Sequence, residues 1–113
     1  VEARPGRSAP WRLKPLHVEG LPAAVDVGAE GLVLGRDPAC DVVLVGELFP
    51  TVSARHARLV PTSEGLELSD LGSTNGTLVE GQPVDRRVLA HGDGFQLGVG
   101  GPRFAVLAPR GVR

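Results

Sequence analysis

The sequence predicts an all-β fold: a two-sheet β-sandwich of about 10–11 mostly antiparallel short strands, with loops gathered at one end. Sixteen glycines and ten prolines in 113 residues cut the chain into short valine- and leucine-rich runs. Those runs recur at roughly 8–12-residue spacing, as strands joined by turns do. No window sustains a helical period. With 42% hydrophobic residues the chain can close one core without disulfides, so a single domain is expected.

In chain order, residues 1–10 are polar and proline-rich and read as a disordered linker or terminus. The folded domain is placed at 11–107 and a short tail at 108–113. Trp11 to Val18 alternates apolar and polar residues and gives the first strand, with Pro15 pointing to a sheet edge. Val25–Val27 and Leu32–Leu34, joined by a Gly28–Gly31 turn, read as a hairpin ending at Gly35-Arg36. After the Asp37–Asp41 turn, Val42–Val45 has the composition of a buried strand. Gly46 to Val52 is a loop in which Phe49 is expected to pack. A strand is expected to open at Ser53 and run to Val60, and Leu66–Asp70 pairs back on it.

Asp70 to Thr77 reads Asp-Leu-Gly-Ser-Thr-Asn-Gly-Thr. Asn75-Gly76 is a strong tight-hairpin signal, but a hairpin needs none of the hydroxyls around it. Thr77–Val79 and Pro83-Val84 flank a turn at Glu80-Gly81, and Arg87–Leu89 forms a further strand. Phe95–Leu97 and Arg103–Leu107 close the fold. In the last strand Phe104 and Val106 face one way, Ala105 and Leu107 the other.

The formal net charge of −1 excludes a broad basic field of the kind that binds nucleic acid by charge alone, so any anion site must be local. Nothing reads as a membrane span or a signal peptide. The lone Cys40 excludes an internal disulfide framework and fits a cytoplasmic domain. The missing initiator methionine and the Arg/Pro/Ser-rich start suggest a piece of a longer protein. No Cys/His spacing fits a metal, and no cofactor motif is present.

Three fragments recur in order: Gly35-Arg36, Ser53-x-x-His56 and Ser73-Thr-Asn-Gly-Thr77. Leu89-x-x-Gly92-Asp93-x-Phe95-x-Leu97-Gly98 follows them. Taken singly, Gly-Arg is a turn with a solvated arginine and the second serine-rich stretch a hairpin. Together they resemble the forkhead-associated (FHA) domain over Trp11 to Leu107. That resemblance implies a non-catalytic module that binds phosphothreonine peptides through loops at one end.

The residue chemistry is compatible with such a ligand. A phosphothreonine carries about −1.5 to −2 charges and three acceptor oxygens, and so requires a fixed cation and neutral donors. Arg36 offers a planar fork for phosphate, Ser53 a hydroxyl, Thr74 a hydroxyl or N–H, and Asn75 an amide for peptide main chain. By resemblance those roles fall on the same positions. Gly35, His56, Gly72, Ser73 and Gly76 would support the loops, His56 by hydrogen bonds. Ala54 stands where the family often has Arg or Asn, and Arg55, on the face of Ser53 if a strand begins there, is the expected substitute. Glu80-Gly81 replaces a typical Asn-Gly turn.

The partner implied is a threonine-phosphorylated protein or peptide in a Ser/Thr kinase pathway, met by a monomer with no nucleic-acid or membrane contact. The alternative is a phosphate-independent scaffold using a sheet face or the 46–52 loop. A hydrolase built on Ser53, His56 and Asp70 ranks lowest, because strand alternation would point Ser53 and His56 to opposite faces.

Overall fold

The structure is a computed structural model and describes residues 10–109. The proposed linker at 1–10 and tail at 108–113 therefore fall largely outside the described residues. Eleven strands form, in order β1 (Trp11–Leu16), β2 (Val25–Val27), β3 (Leu32–Gly35), β4 (Val42–Val43), β5 (Ala57–Thr62) and β6 (Gly65–Asp70). They continue as β7 (Thr77–Val79), β8 (Gln82–Pro83), β9 (Arg86–Leu89), β10 (Gly94–Leu97) and β11 (Arg103–Leu107). One sheet has six strands in the order β2-β1-β11-β10-β7-β8, and the other five in the order β4-β3-β5-β6-β9. All pairings are antiparallel except β3 with β4, which is parallel.

Alternation places the core between the sheets. Leu13, Leu34, Leu59, Leu68, Leu97 and Phe104 are fully buried, one from each of six strands. Burying a leucine side chain contributes about 1.5–3 kcal/mol, so this layer fixes which face of every strand turns inward. Phe95 and Phe104 stack with ring centroids 5.3 Å apart, joining β10 to β11. In β11, Phe104 and Val106 are buried while Ala105 and Leu107 are half-buried, as the alternation predicts.

Both hairpins predicted from turn residues at 28–31 and 75–76 are absent. β2 pairs with β1 while β3 pairs with β4 and β5, so the chain changes sheet across Gly28–Gly31. In the same way β6 lies in the five-stranded sheet and β7 in the six-stranded one, and 71–76 is a crossing segment. Turn chemistry specifies a reversal, and a reversal serves equally for a neighbour in the same sheet or a strand in the facing one. The Glu80-Gly81 turn does make a hairpin, pairing β7 with β8. Its two central residues have φ of 52° and 79°, the positive values of a type I′ turn.

The place of β1 in its sheet and the start of β5 also differ from expectation. β1 is not an edge strand, since it lies between β2 and β11. Pro15 is tolerated because β2 pairs only with Trp11–Leu13, so the missing N–H falls where that neighbour has ended. β5 begins at Ala57 and not at Ser53, because residues 53–56 curl over the end of β3. Phe49 is partly buried and packs against the core, as anticipated.

Candidate functional site

Four segments meet at one end of the sandwich: the end of β3 with Arg36, the 44–56 loop, the 70–77 crossing and the 98–101 turn. Gly35 brings the first two together. A Cβ at this position would stand 2.1 Å from the Ala54 carbonyl oxygen, so only glycine permits the approach. The backbone N–H groups of Arg36 and Asp37 then donate to the carbonyls of Ser53 and Ala54, at 3.1 and 3.0 Å. Gly35 therefore serves close contact between the two segments.

Arg36 is exposed, and its Nε donates to the Val52 carbonyl. Gly46 lies against the side chain, where a Cβ would come 3.0 Å from Cδ and 3.2 Å from Nη1. The stem is thus held while the terminal nitrogens lie at the surface. Ser53 is half-buried, and its Oγ accepts the Thr74 N–H at 3.0 Å. With a lone pair committed to Thr74, the hydroxyl retains its hydrogen to give. Asn75 is exposed and donates Nδ2–H to the Thr51 carbonyl at 3.0 Å, an orientation that leaves Oδ1 as an acceptor.

His56 is completely buried among these loops. Its Nδ1 accepts the Ser53 N–H at 3.0 Å, so Nε2 carries the proton and donates to the Gly76 carbonyl at 2.8 Å. Its own backbone bonds Leu34 and Leu71. One side chain therefore joins the 44–56 loop to the 70–77 crossing, and its backbone ties that junction to β3. Neither ring nitrogen faces the Ser53 hydroxyl or Asp70, so the arrangement is not a serine–histidine–aspartate relay. The strand alternation invoked against that triad does not apply to the curled 53–56 segment; the hydrogen bonds exclude it instead.

Asp70 organises the crossing. Its Oδ1 accepts the hydroxyls of Ser73 and Thr77, and its Oδ2 accepts the N–H groups of Gly72 and Ser73. The Ser73 hydroxyl oxygen in turn accepts the Gly76 N–H at 2.9 Å. Partial burial opposes the charge on Asp70, but these bonds outweigh it and hold the carboxyl below its ordinary 3.8. An aspartate followed by serine three positions on is a legible turn signature. Gly72 and Gly76 both sit at positive φ, 75° and 85°.

Arg55 is exposed in the same curl as Ser53 and lines a hollow with Asp41, Arg58 and Leu71 on the flank of the loops. Cys40 is buried, and its Sγ–H donates to the Ala54 carbonyl at 3.3 Å. Burial, with Asp37 beside it, pushes that thiol above its ordinary 9.0. Among the described residues no group of three or more His, Cys, Asp or Glu side chains could hold a metal ion. No helix in them is long and apolar enough to cross a membrane.

The FHA-domain family model matches residues 32–98, a span that runs from β3 to the end of β10 and holds Arg36, the 44–56 loop and the 70–77 crossing. The chain belongs to the FHA-domain family. The glycogen accumulation regulator GarA of Mycobacterium tuberculosis is 44% identical over 64 residues, which are 57% of this chain and 38% of that protein. An oxoglutarate dehydrogenase inhibitor of Corynebacterium jeikeium is 39% identical over 69 residues, covering 61% of this chain and 46% of the relative. The chain therefore spans less than half the length of these two relatives. Among solved structures, the N-terminal FHA domain of S. cerevisiae Rad53p in complex with a phosphothreonine peptide is 25% identical, with a TM-score of 0.71. The likeness covers 87% of this chain and 92% of that one. The all-β, two-sheet FHA fold expected from the sequence is thus the fold found.

Proposed function

We propose that this FHA domain binds partner proteins phosphorylated on threonine, with Arg36, Ser53 and Thr74 at the phosphate and Asn75 on the peptide main chain. The observation that carries this assignment is the bond from the Thr74 N–H to Ser53 Oγ. It locks two loops together and leaves the serine hydroxyl a donor, close in the chain to the Val52 carbonyl that steadies Arg36. A phosphate there meets a guanidinium and neutral donors on a held surface, which is the pairing its charge and oxygens demand. Asn75 Oδ1 is available to accept a peptide N–H. Arg55, exposed on the flank, supplies a second cation toward peptide residues beyond the phosphate. The phosphothreonine peptide bound by the similar Rad53p domain supports the reading.

On this reading the domain is a non-catalytic adaptor acting as a monomer on the products of a Ser/Thr kinase in the cytoplasm. The test is titration of one peptide in phosphothreonine, phosphoserine and unmodified forms against the domain and its Arg36→Ala variant. Phosphothreonine should bind tightest, and R36A should lose at least tenfold, since a charge-assisted hydrogen bond contributes about 1.5–3 kcal/mol. Equal binding of all three forms, or undiminished binding by R36A, would move the function to a phosphate-independent surface such as the 46–52 loop.

A further inference from the structure

Asn75 is the only asparagine in the chain, and a glycine follows it. Asparagine is among the heat-labile residues, and this pair is labile wherever its backbone is free. The Gly76 nitrogen, with no Cβ beside it to hinder approach, can attack the side-chain carbon Cγ of Asn75. Space does not require glycine at 76, where a Cβ would meet only Leu78 Cδ2, at 3.9 Å. Its φ of 85° does.

In the folded loop every group that this reaction needs is committed. The Gly76 N–H, which must lose its hydrogen before the nitrogen can attack, donates to Ser73 Oγ at 2.9 Å. The Gly76 carbonyl accepts His56 Nε2–H at 2.8 Å, so the residue is held on both sides. The amide that would leave donates Nδ2–H to the Thr51 carbonyl at 3.0 Å. Behind it stands Gly98, where a Cβ would come 3.1 Å from Asn75 Cβ.

Ser73 gives its own hydroxyl hydrogen to Asp70 Oδ1. Removal of the Gly76 hydrogen through Ser73 would require Asp70 to act as a base. Four donors hold that carboxyl below its ordinary value, which makes it a weak one. The pair therefore retains the hydrogen.

We propose that Asn75-Gly76 is a guarded modification site: Ser73, through its bond to the Gly76 N–H, suppresses conversion of Asn75 to aspartate or isoaspartate, and that conversion shuts the phosphopeptide site. In the reaction the bond from Gly76 N to Cγ forms and the Cγ–Nδ2 bond breaks. The hydrogen from Gly76 N departs with Nδ2 as ammonia, and a succinimide ring remains. Water then opens the ring, at Cγ to give aspartate or at the Asn75 backbone carbonyl to give isoaspartate, whose chain runs through Cγ. Either product places a carboxylate where the amide was. It has no N–H for the Thr51 carbonyl, and its charge opposes that of a phosphate. The shut-off rests on the phosphothreonine reading, and the chemistry at Asn75 does not. A bound peptide on Asn75 Oδ1 adds to the guard, so occupied domains keep their site and free ones lose it with time.

The experiment incubates the full chain in mildly alkaline buffer, native and in guanidinium chloride, and follows the mass gain at Asn75 by fragment mass spectrometry. Native wild type should convert about tenfold or more slowly than the denatured chain, and Ser73→Ala should convert several-fold faster than native wild type. Thr77→Val removes a different Asp70 bond and leaves Ser73 on Gly76, so it should stay close to wild type. A saturating phosphothreonine peptide should slow the wild type further. Converted protein, and Asn75→Asp in its place, should bind that peptide about tenfold or more weakly. Equal native and denatured rates, or S73A no faster than wild type, overturn the guard. Equal acceleration in S73A and T77V overturns its assignment to Ser73. Converted protein that binds as well as unconverted overturns the shut-off alone. Wild type that binds without regard to phosphate overturns the phosphothreonine reading and with it the shut-off, while the conversion rates still decide the guard.

Discussion

At the scale of single residues, the loop end depends on groups that do not touch a ligand. Asp70 gathers four donors on one carboxylate, so its charge is part of the shape of the 70–77 crossing. Because its folded pKa lies below the unfolded value, its contribution is complete above the unfolded carboxylate range and is lost as pH falls through the folded value. Urea denaturation at pH 7 and pH 3 should show Asp70→Asn less stable by about 1–2 kcal/mol at the higher pH and closer to wild type at the lower. An equal difference at both values would mean that the charge is irrelevant. Arg36, Ser53, Thr74 and Asn75, the residues proposed to meet the phosphopeptide, stood out as candidates because their residue types offer a cation, hydroxyls and an amide. Thr51, Val52, Gly46 and Gly98 were not, since they contribute a carbonyl or the lack of a Cβ, which residue type alone does not announce.

At the scale of elements, strand positions followed from alternating apolar residues and their turns, but strand partners did not. The segments at 28–31 and 71–76 look like hairpin turns and instead carry the chain between sheets, because the choice is made by distant residues such as Leu59 opposite Leu32. The Glu80-Gly81 turn, which does join a hairpin, places Glu80 at φ 52°, a conformation that costs a side chain with a Cβ about 1–2 kcal/mol and that asparagine tolerates better. Glu80→Asn should raise the melting temperature by roughly 4 °C, read by thermal denaturation. An unchanged or lower midpoint would show that the strain is relieved by contacts the glutamate makes.

At the scale of the whole molecule, the two sheets bring to one end residues that lie far apart in sequence, and the site exists only while both sheets are packed. Ligand binding and folding are therefore linked. A phosphothreonine peptide at a hundredfold excess over its Kd should stabilise the domain by about 2.7 kcal/mol, a rise of roughly 10 °C in melting temperature. At the same peptide concentration R36A, binding at least tenfold more weakly, should show about half of it or less. The His56 bridge between the loops has a further consequence for timing. The Ser53 amide lies in irregular, partly exposed chain, yet it is bonded to a fully buried ring. Its hydrogen exchange should be nearly as slow as that of the central strands, and His56→Ala should release it by orders of magnitude. A peptide then meets a surface already in its binding shape, so association is not gated by loop closure, and differences among partners appear in how long each stays.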